Sequence, residues 1–328
     1  MKSTIDSWRR ALVGAAVVAL LALASCGGGE QVEQFVASRV IAFGDENSVI
    51  LDTNADANGR KFTIDATVSA TDPTLACKLN PLWIQVLATA YGFVFAECNP
   101  GPNAVVAPVS RIRAVAGARV ANLAAQVDAQ LAESPLQTKD LTTVWIGEND
   151  VFDEYAKYPG VSEAQLIDNL EAIGAALAVQ VNRLADAGPK VLITTLPDLG
   201  TTPFALAEKT AHGDTDRAAL ISRLTSRFNA GMRSTIYNDG RRIGLILGDE
   251  YFKAVVQNPS GSGFVNVNAP ACDLATLAPP AVLNCTTQTL VTGGSAATWL
   301  WADMLHFTPG GHLALGNLAY SRSQNNPF

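Results

Sequence analysis

Basic residues are in deficit, histidine is scarce, and apolar runs long enough to cross a membrane are missing beyond the amino terminus. The 328-residue chain has 23 Lys+Arg against 30 Asp+Glu, a formal charge of −7. Such a surface repels phosphate backbones, so nucleic acid is excluded as a partner. With three histidines and no close Cys-x-x-Cys pair, a zinc site has no ligand set to draw on, and no metal or cofactor is expected. No second apolar run approaches the roughly 20 residues that span a bilayer. No internal repeat occurs, so nothing points to a repeat array.

What is present begins with an address. Lys2, Arg9 and Arg10 flank an apolar run from Ala11 to Ala24, which ends at Leu23-Ala24-Ser25-Cys26. A basic stretch, a short apolar run and small residues before a cut make residues 1–25 a secretory signal. Leu-Ala-Ser-Cys resembles a bacterial lipobox, whose cysteine, here Cys26, is lipidated after cleavage. Gly27-Gly28-Gly29 opens a flexible tether, expected over residues 26–37. In a Gram-negative cell, Gly27 rather than an aspartate after the cysteine resembles outer-membrane sorting. The expectation is an envelope lipoprotein, monomeric and held to the membrane by its amino-terminal lipid.

Removing residues 1–25 takes Lys+Arg from 23 to 20 and Asp+Glu from 30 to 29, leaving a charge near −9. The remainder is long enough for one large core, with 48% hydrophobic residues in the whole chain. Cys77, Cys98, Cys272 and Cys285 allow three pairings, and an exported chain sits where disulfides persist. Cys77–Cys98 and Cys272–Cys285 are favoured, because each joins neighbours within one local segment.

Strands are predicted at 40–43, 141–146, 190–195 and 243–247. Helices are predicted at 81–91, 119–132, 162–187, 220–237 and 310–322. Ser162 with Gln165 three residues on is a capping box. β-branched, charge-poor strands alternating with helices imply a parallel sheet covered on both faces. The Gly-, Pro-, Asn- and Thr-rich insertion at 258–298 reads as a loop cap over the site.

Four segments carry the functional reading: Phe43-Gly44-Asp45-Glu46, Ala116-Gly117-Ala118-Arg119, Gly147-Glu148-Asn149-Asp150 and Asp303-Met304-Leu305-His306. In this order they resemble the four blocks of the SGNH (GDSL) hydrolase family, over roughly residues 38–320. Leu196-Pro197-Asp198-Leu199-Gly200 and Phe228-Asn229-Ala230 resemble it too. The resemblance implies a three-layer α/β/α, flavodoxin-like domain over 38–328 that acts on carboxylic esters or lipids. It implies His306 as base, Asp303 as the group that orients it, and Gly117 and Asn149 as oxyanion donors. The family's nucleophile serine corresponds to Glu46.

That substitution opens several readings. Glu46 can fold into its own oxyanion hole and pair with a protonated His306, which raises the histidine pKa and removes the base. It can act itself, as a base on water or as a carboxylate nucleophile. Alternatively Ser48, two residues on, supplies the hydroxyl from a shifted loop. The runner-up to a hydrolase is therefore a non-catalytic relative that binds an acylated or saccharide ligand. Asp45 reads as a turn cap, Glu148 as solvent-facing, His312 as part of the closing helix and His212 as part of a polar loop. Asn54, Asp56, Asn58, Gly59 and Asp65 match calcium-loop positions imperfectly; Asn58-Gly59 before Lys61-Phe62-Thr63-Ile64 reads better as a hairpin turn.

Overall fold

β1 (Arg39–Gly44) is buried from Val40 to Gly44, as a charge-free run must be in a sheet covered on two sides. The computed structural model describes residues 34–51, 59–101 and 104–328, and the body is Phe35–Phe328. After β1, a short antiparallel ladder joins β2 (Ile50–Leu51) to β3 (Arg60–Lys61). The main sheet adds β4 (Arg111–Ile112), β5 (Asp140–Trp145), β6 (Lys190–Thr194) and β7 (Ile243–Ile246). All its pairings are parallel, in the order β4-β1-β5-β6-β7. Counted among these five alone, that is the 2-1-3-4-5 order of flavodoxin-like folds, whose direction reverses between the first and third strands. Here the reversal lies between β1 and β5.

The helices are α1 (Trp83–Ala90), α2 (Leu123–Glu133), α3 (Glu148–Tyr155), α4 (Glu163–Asp186), α5 (Pro203–Ala211), α6 (Arg217–Thr235), α7 (Gly248–Gln257) and α8 (Pro309–Asn325). α1 packs with α8, and α4 packs extensively with α6, completing the outer layers. Ser162 caps α4 by accepting from the Gln165 N–H at 3.3 Å. The predicted strands and long helices fall where the periodicity put them. α3, α5, α7 and the two-residue β4 were not predicted.

The cysteines pair as Cys77–Cys98 and Cys272–Cys285. Residues 1–33, which include the signal, Cys26 and most of the tether, lie outside the described residues. So do Asn54, Asp56 and Asn58 of the calcium template. Asp65, its last member, is engaged by Lys61, whose ammonium stands 3.6 Å away.

Two expectations are corrected. The tether reading does not extend to residue 37: Phe35 stacks edge-on against Tyr91 and Phe328, and Ala37 is buried. Nor is the insertion a bare loop. It forms β8 (Asn266–Pro270), paired with β9 (Trp299–Trp301). Ala271, Cys272, Val282 and Cys285 build a second small core with Ile64 and Ala302. Apolar residues scattered among turn formers found a partner surface that local patterning does not show. Both cores lie within Phe35–Phe328, so the body carries its own folding determinants.

Candidate functional site

The sheet reversal leaves a crevice beyond the carboxyl ends of β1 and β5, and the chain leaves both strands through glycine. Gly44 (φ +140°) lies so close to β5 that a Cβ would sit 2.0 Å from the Trp145 carbonyl oxygen. Gly147 (φ +125°) leaves room for the Phe228 ring, 2.2 Å from where its Cβ would be. Only glycine meets both demands. Gln126 fixes the first exit, accepting from the Gly44 N–H at 2.9 Å and donating to its carbonyl at 2.8 Å.

Asp45 then accepts from the Asn47 N–H at 3.1 Å, capping a short 3-10 turn, Glu46–Ser48. The turn aims residues 46 and 48 differently. Ser48 is fully buried, and its hydroxyl accepts from the Trp83 indole N–H at 3.1 Å. The alternative nucleophile is thereby corrected: this hydroxyl is a core hydrogen-bond partner, not a group of the crevice.

Glu46 points into the crevice. Its Oε2 accepts from the Gly117 N–H at 2.8 Å, and both oxygens accept from Asn149 Nδ2, at 3.1 and 3.0 Å. Gly117 presents its N–H from a left-handed turn (φ +72°). Asn149 also donates to the Ala118 carbonyl at 3.1 Å, and Asp150 accepts from the Val120 N–H at 2.9 Å. Arg119 donates to the Gly117 carbonyl and pairs with Asp153 on α3. These contacts tie the loop at 117–120 to α3, which fixes the spacing of the two donors.

His306 follows a tight turn in which Asp303 Oδ1 accepts from the Leu305 and His306 N–H groups at 2.9 and 2.7 Å. The same carboxylate receives His306 Nδ1 at 3.0 and 2.9 Å. That leaves Nε2 facing Glu46, 4.0 Å from Oε1. The Phe62 ring packs beside the imidazole, centroids 5.4 Å apart. Burial favours neutral histidine, yet the charge and hydrogen bonds of Asp303, with Glu148 and Glu46, outweigh it and carry the His306 pKa up to about 9. Burial acts against Asp303 ionisation as well, but His306 holds its carboxyl below the usual range.

Glu148 corrects a further expectation. It is 3% exposed rather than solvent-facing. Asn47 Nδ2 donates to its Oε2 at 3.2 Å, while Oε1 has no hydrogen-bond partner among the described residues. Burial, partly offset by His306, pushes this carboxyl up to about 7. The signal in the sequence is the spacing of Glu148, Val151 and Tyr155, which share the buried face of α3. Asp45 is also fully buried and held well above the usual carboxyl range, first by burial and then by the charge of Glu46.

Glu46, Gly117, Asn149, Asp303 and His306 thus converge from four separated segments. His312 stays in α8, buried, with burial lowering its pKa to about 3. His212 closes α5 beside Glu208. Among the described residues no cluster of His, Cys, Asp and Glu suits a metal ion. No helix among them is long and apolar enough to cross a membrane.

The family model described as GDSL-like Lipase/Acylhydrolase matches residues 52–319. Among solved structures, one similar chain is a putative GDSL-like lipase from Parabacteroides merdae ATCC 43184. It is 11% identical with a TM-score of 0.47, over 89% of this chain and 98% of that one. An acetylxylan esterase from Geobacillus stearothermophilus is 12% identical with a TM-score of 0.43, covering 90% and 98%. No curated protein matches the chain.

Proposed function

The chain belongs to the GDSL-like lipase/acylhydrolase family, and on that premise we propose that it takes an ester-bearing lipid or saccharide at the cell envelope and holds it without serine-type hydrolysis. One observation carries this reading. The Glu46 carboxylate accepts from both the Gly117 N–H and the Asn149 amide, the donors that would otherwise stabilise the oxyanion of ester attack. His306, with a pKa near 9, is protonated at neutral pH and cannot take a proton from a nucleophile. No serine hydroxyl replaces Glu46, because Ser48 is turned into the core. A hollow of about 630 Å³ beside Gly117, lined by Val115, Ala116, Ala118 and Ala125 among others, gives an acylated ligand room. The envelope location rests on the signal and Cys26, which also make a lipid-anchored protein of the outer membrane.

A specific feature favours a second reading. The Asp303–His306 pair keeps both hydrogen bonds, an arrangement that a pure binding cleft has no use for. In that reading Glu46 leaves the donors when substrate enters and attacks the ester carbonyl carbon, forming an acyl anhydride as the carbon–alkoxide bond breaks. His306 gives its Nε2 proton to the departing alkoxide. Water then hydrolyses the anhydride, freeing the acid and the Glu46 carboxylate and returning a proton to His306. Nitrophenyl ester hydrolysis by residues 27–328, beside Glu46→Ser and His306→Ala, separates the two. A silent native chain with an active Glu46→Ser variant supports the holding function. Native turnover that vanishes in His306→Ala sinks it and establishes a carboxylate hydrolase. Silence from both the native and Glu46→Ser chains sinks the ester reading altogether.

A further inference from the structure

The helix pair α1 and α8 borders a second hollow, which shares no residue with the crevice. Gly316 lets the two helices meet so closely that a Cβ there would lie 2.5 Å from Val86 Cβ. Beside that contact Pro81, Val86, Phe93, Val94 and Leu313 line a cavity of about 470 Å³. Leu313 is 48% exposed, and Val86, Phe93 and Val94 are half-buried, so the apolar wall is open to solvent. A concave, mostly apolar space of this size with few polar groups suits a small amphiphile.

The walls are braced from behind. The Cys77–Cys98 disulfide ties the segment before α1 to the segment after it, and Cys98 itself lines the cavity. Gln85 of α1 donates to the Cys77 carbonyl at 3.0 Å and accepts from the Leu82 N–H at 2.9 Å. Phe93 N–H donates to the Ala88 carbonyl at 2.9 Å, and Ala96 N–H to the Ser110 carbonyl at 3.3 Å. The buried Lys61 ammonium donates to the carbonyls of Cys77, Leu79 and Asn80, which holds the backbone on both sides of Lys78. A space fixed in this way costs little ordering when a ligand enters.

Lys78 is the only charged residue that lines the cavity. It is exposed, so it stands at the mouth, and it has no ion-pair partner among the described residues. Glu97, next to Cys98, accepts instead from the Ile112 N–H at 3.1 Å. One unpaired cation over an apolar space with no carboxylate in its lining complements a ligand with a hydrocarbon chain and an anionic head. The chain leaves water and the head meets the ammonium, whereas a cationic head is repelled.

We propose that this cavity is a second binding site, for a free fatty acid whose chain lies among Val86, Phe93, Val94 and Leu313 and whose carboxylate pairs with Lys78. The site goes beyond the functional reading above and requires neither ester binding in the crevice nor lipid on Cys26.

The test compares two amphiphiles with one chain and opposite heads, dodecanoate and dodecyltrimethylammonium, each below its micelle concentration. Titration calorimetry with residues 27–328 is expected to show one dodecanoate bound, about fivefold or more tighter than the cation. Lys78→Glu should reverse that preference. Thr89→Trp, at an exposed position that lines the cavity, should fill the space and weaken both ligands about tenfold. Dodecanoate should slow amide hydrogen exchange over residues 93–98. Absence of dodecanoate binding overturns the proposal, as do equal affinities for the two heads or binding unchanged by either substitution. Slowing at residues 115–118 instead also overturns it, since it would put the acid in the crevice. Because cavity and crevice report through different residues, failure of the ester reading leaves this result unaffected.

Discussion

Glu46 Oε1 stands 4.0 Å from His306 Nε2, while the other oxygen of the same carboxylate accepts from the Gly117 N–H. One side chain therefore occupies two places that ester chemistry keeps apart, the donor pair and the proton acceptor. A carboxylate suits both, since it is an acceptor for the amides and a counter-charge for the ring. The result is a site at rest with its charges matched.

The charge state of His306 is the direct test of that match. A proton NMR titration of residues 27–328 is expected to place His306 near pH 9, and Asp303→Asn to bring it down. The folded pKa lies above the ordinary 6.5. The histidine's contribution to stability is therefore fully present below about pH 6.5 and is lost as pH rises through about 9. Thermal unfolding should fall across that window more steeply in the native chain than in His306→Gln. Equal slopes would mean that the ring is neutral.

Glu148 gives a prediction of its own. Its folded pKa, about 7, is raised above the ordinary 4.5. The protonated form is thus favoured on folding, and stability drains away as pH rises from about 4.5 through 7. Glu148→Gln keeps an acceptor for Asn47 and has no charge to bury. It should match the native chain near pH 4 and exceed it by roughly 1–3 kcal/mol near pH 8 in urea unfolding. A variant less stable at both values would show that the carboxylate is needed ionised.

Much of this arrangement was legible because strands and glycines speak locally. Val40–Phe43 and Leu141–Ile146 announce buried strands, and the glycines after them mark the sharp exits that a crevice at the strand ends requires. Glu46 meeting its own donors followed from chemistry once those exits were placed. Glu148 was not legible because its helix, Glu148–Tyr155, is too short to leave a periodic signal, and only packing sets which way the residue turns. The second core at residues 258–298 was not legible because one of its partners, Ile64, lies far away in the chain, and its own apolar residues follow no periodic pattern.

Ser48 should prove structural. Ser48→Ala leaves the buried Trp83 indole N–H without its acceptor, a loss of about 1–3 kcal/mol. Urea unfolding should register that loss. In a Glu46→Ser background, hydrolysis per folded molecule should be unchanged by Ser48→Ala. A fall in activity with unchanged stability would return Ser48 to the chemistry.

Lys61 links the site to the fold behind it. Its ammonium is fully buried and donates to the carbonyls of Cys77, Leu79 and Asn80 at 3.1, 2.7 and 2.8 Å, with Asp65 at 3.6 Å. Burial lowers its pKa to about 8, so it remains largely charged at neutral pH. Lys61→Met removes the donor from three carbonyls and the counter-charge from Asp65, and should cost about 3–5 kcal/mol in urea unfolding. Adding Asp65→Asn should recover part of that cost, since it removes the stranded carboxylate. Phe62, the next residue, packs on His306; loosening it should shift the His306 ring signal in Lys61→Met even below the unfolding midpoint. A signal that stays in place would mean that the imidazole is held by Asp303 alone.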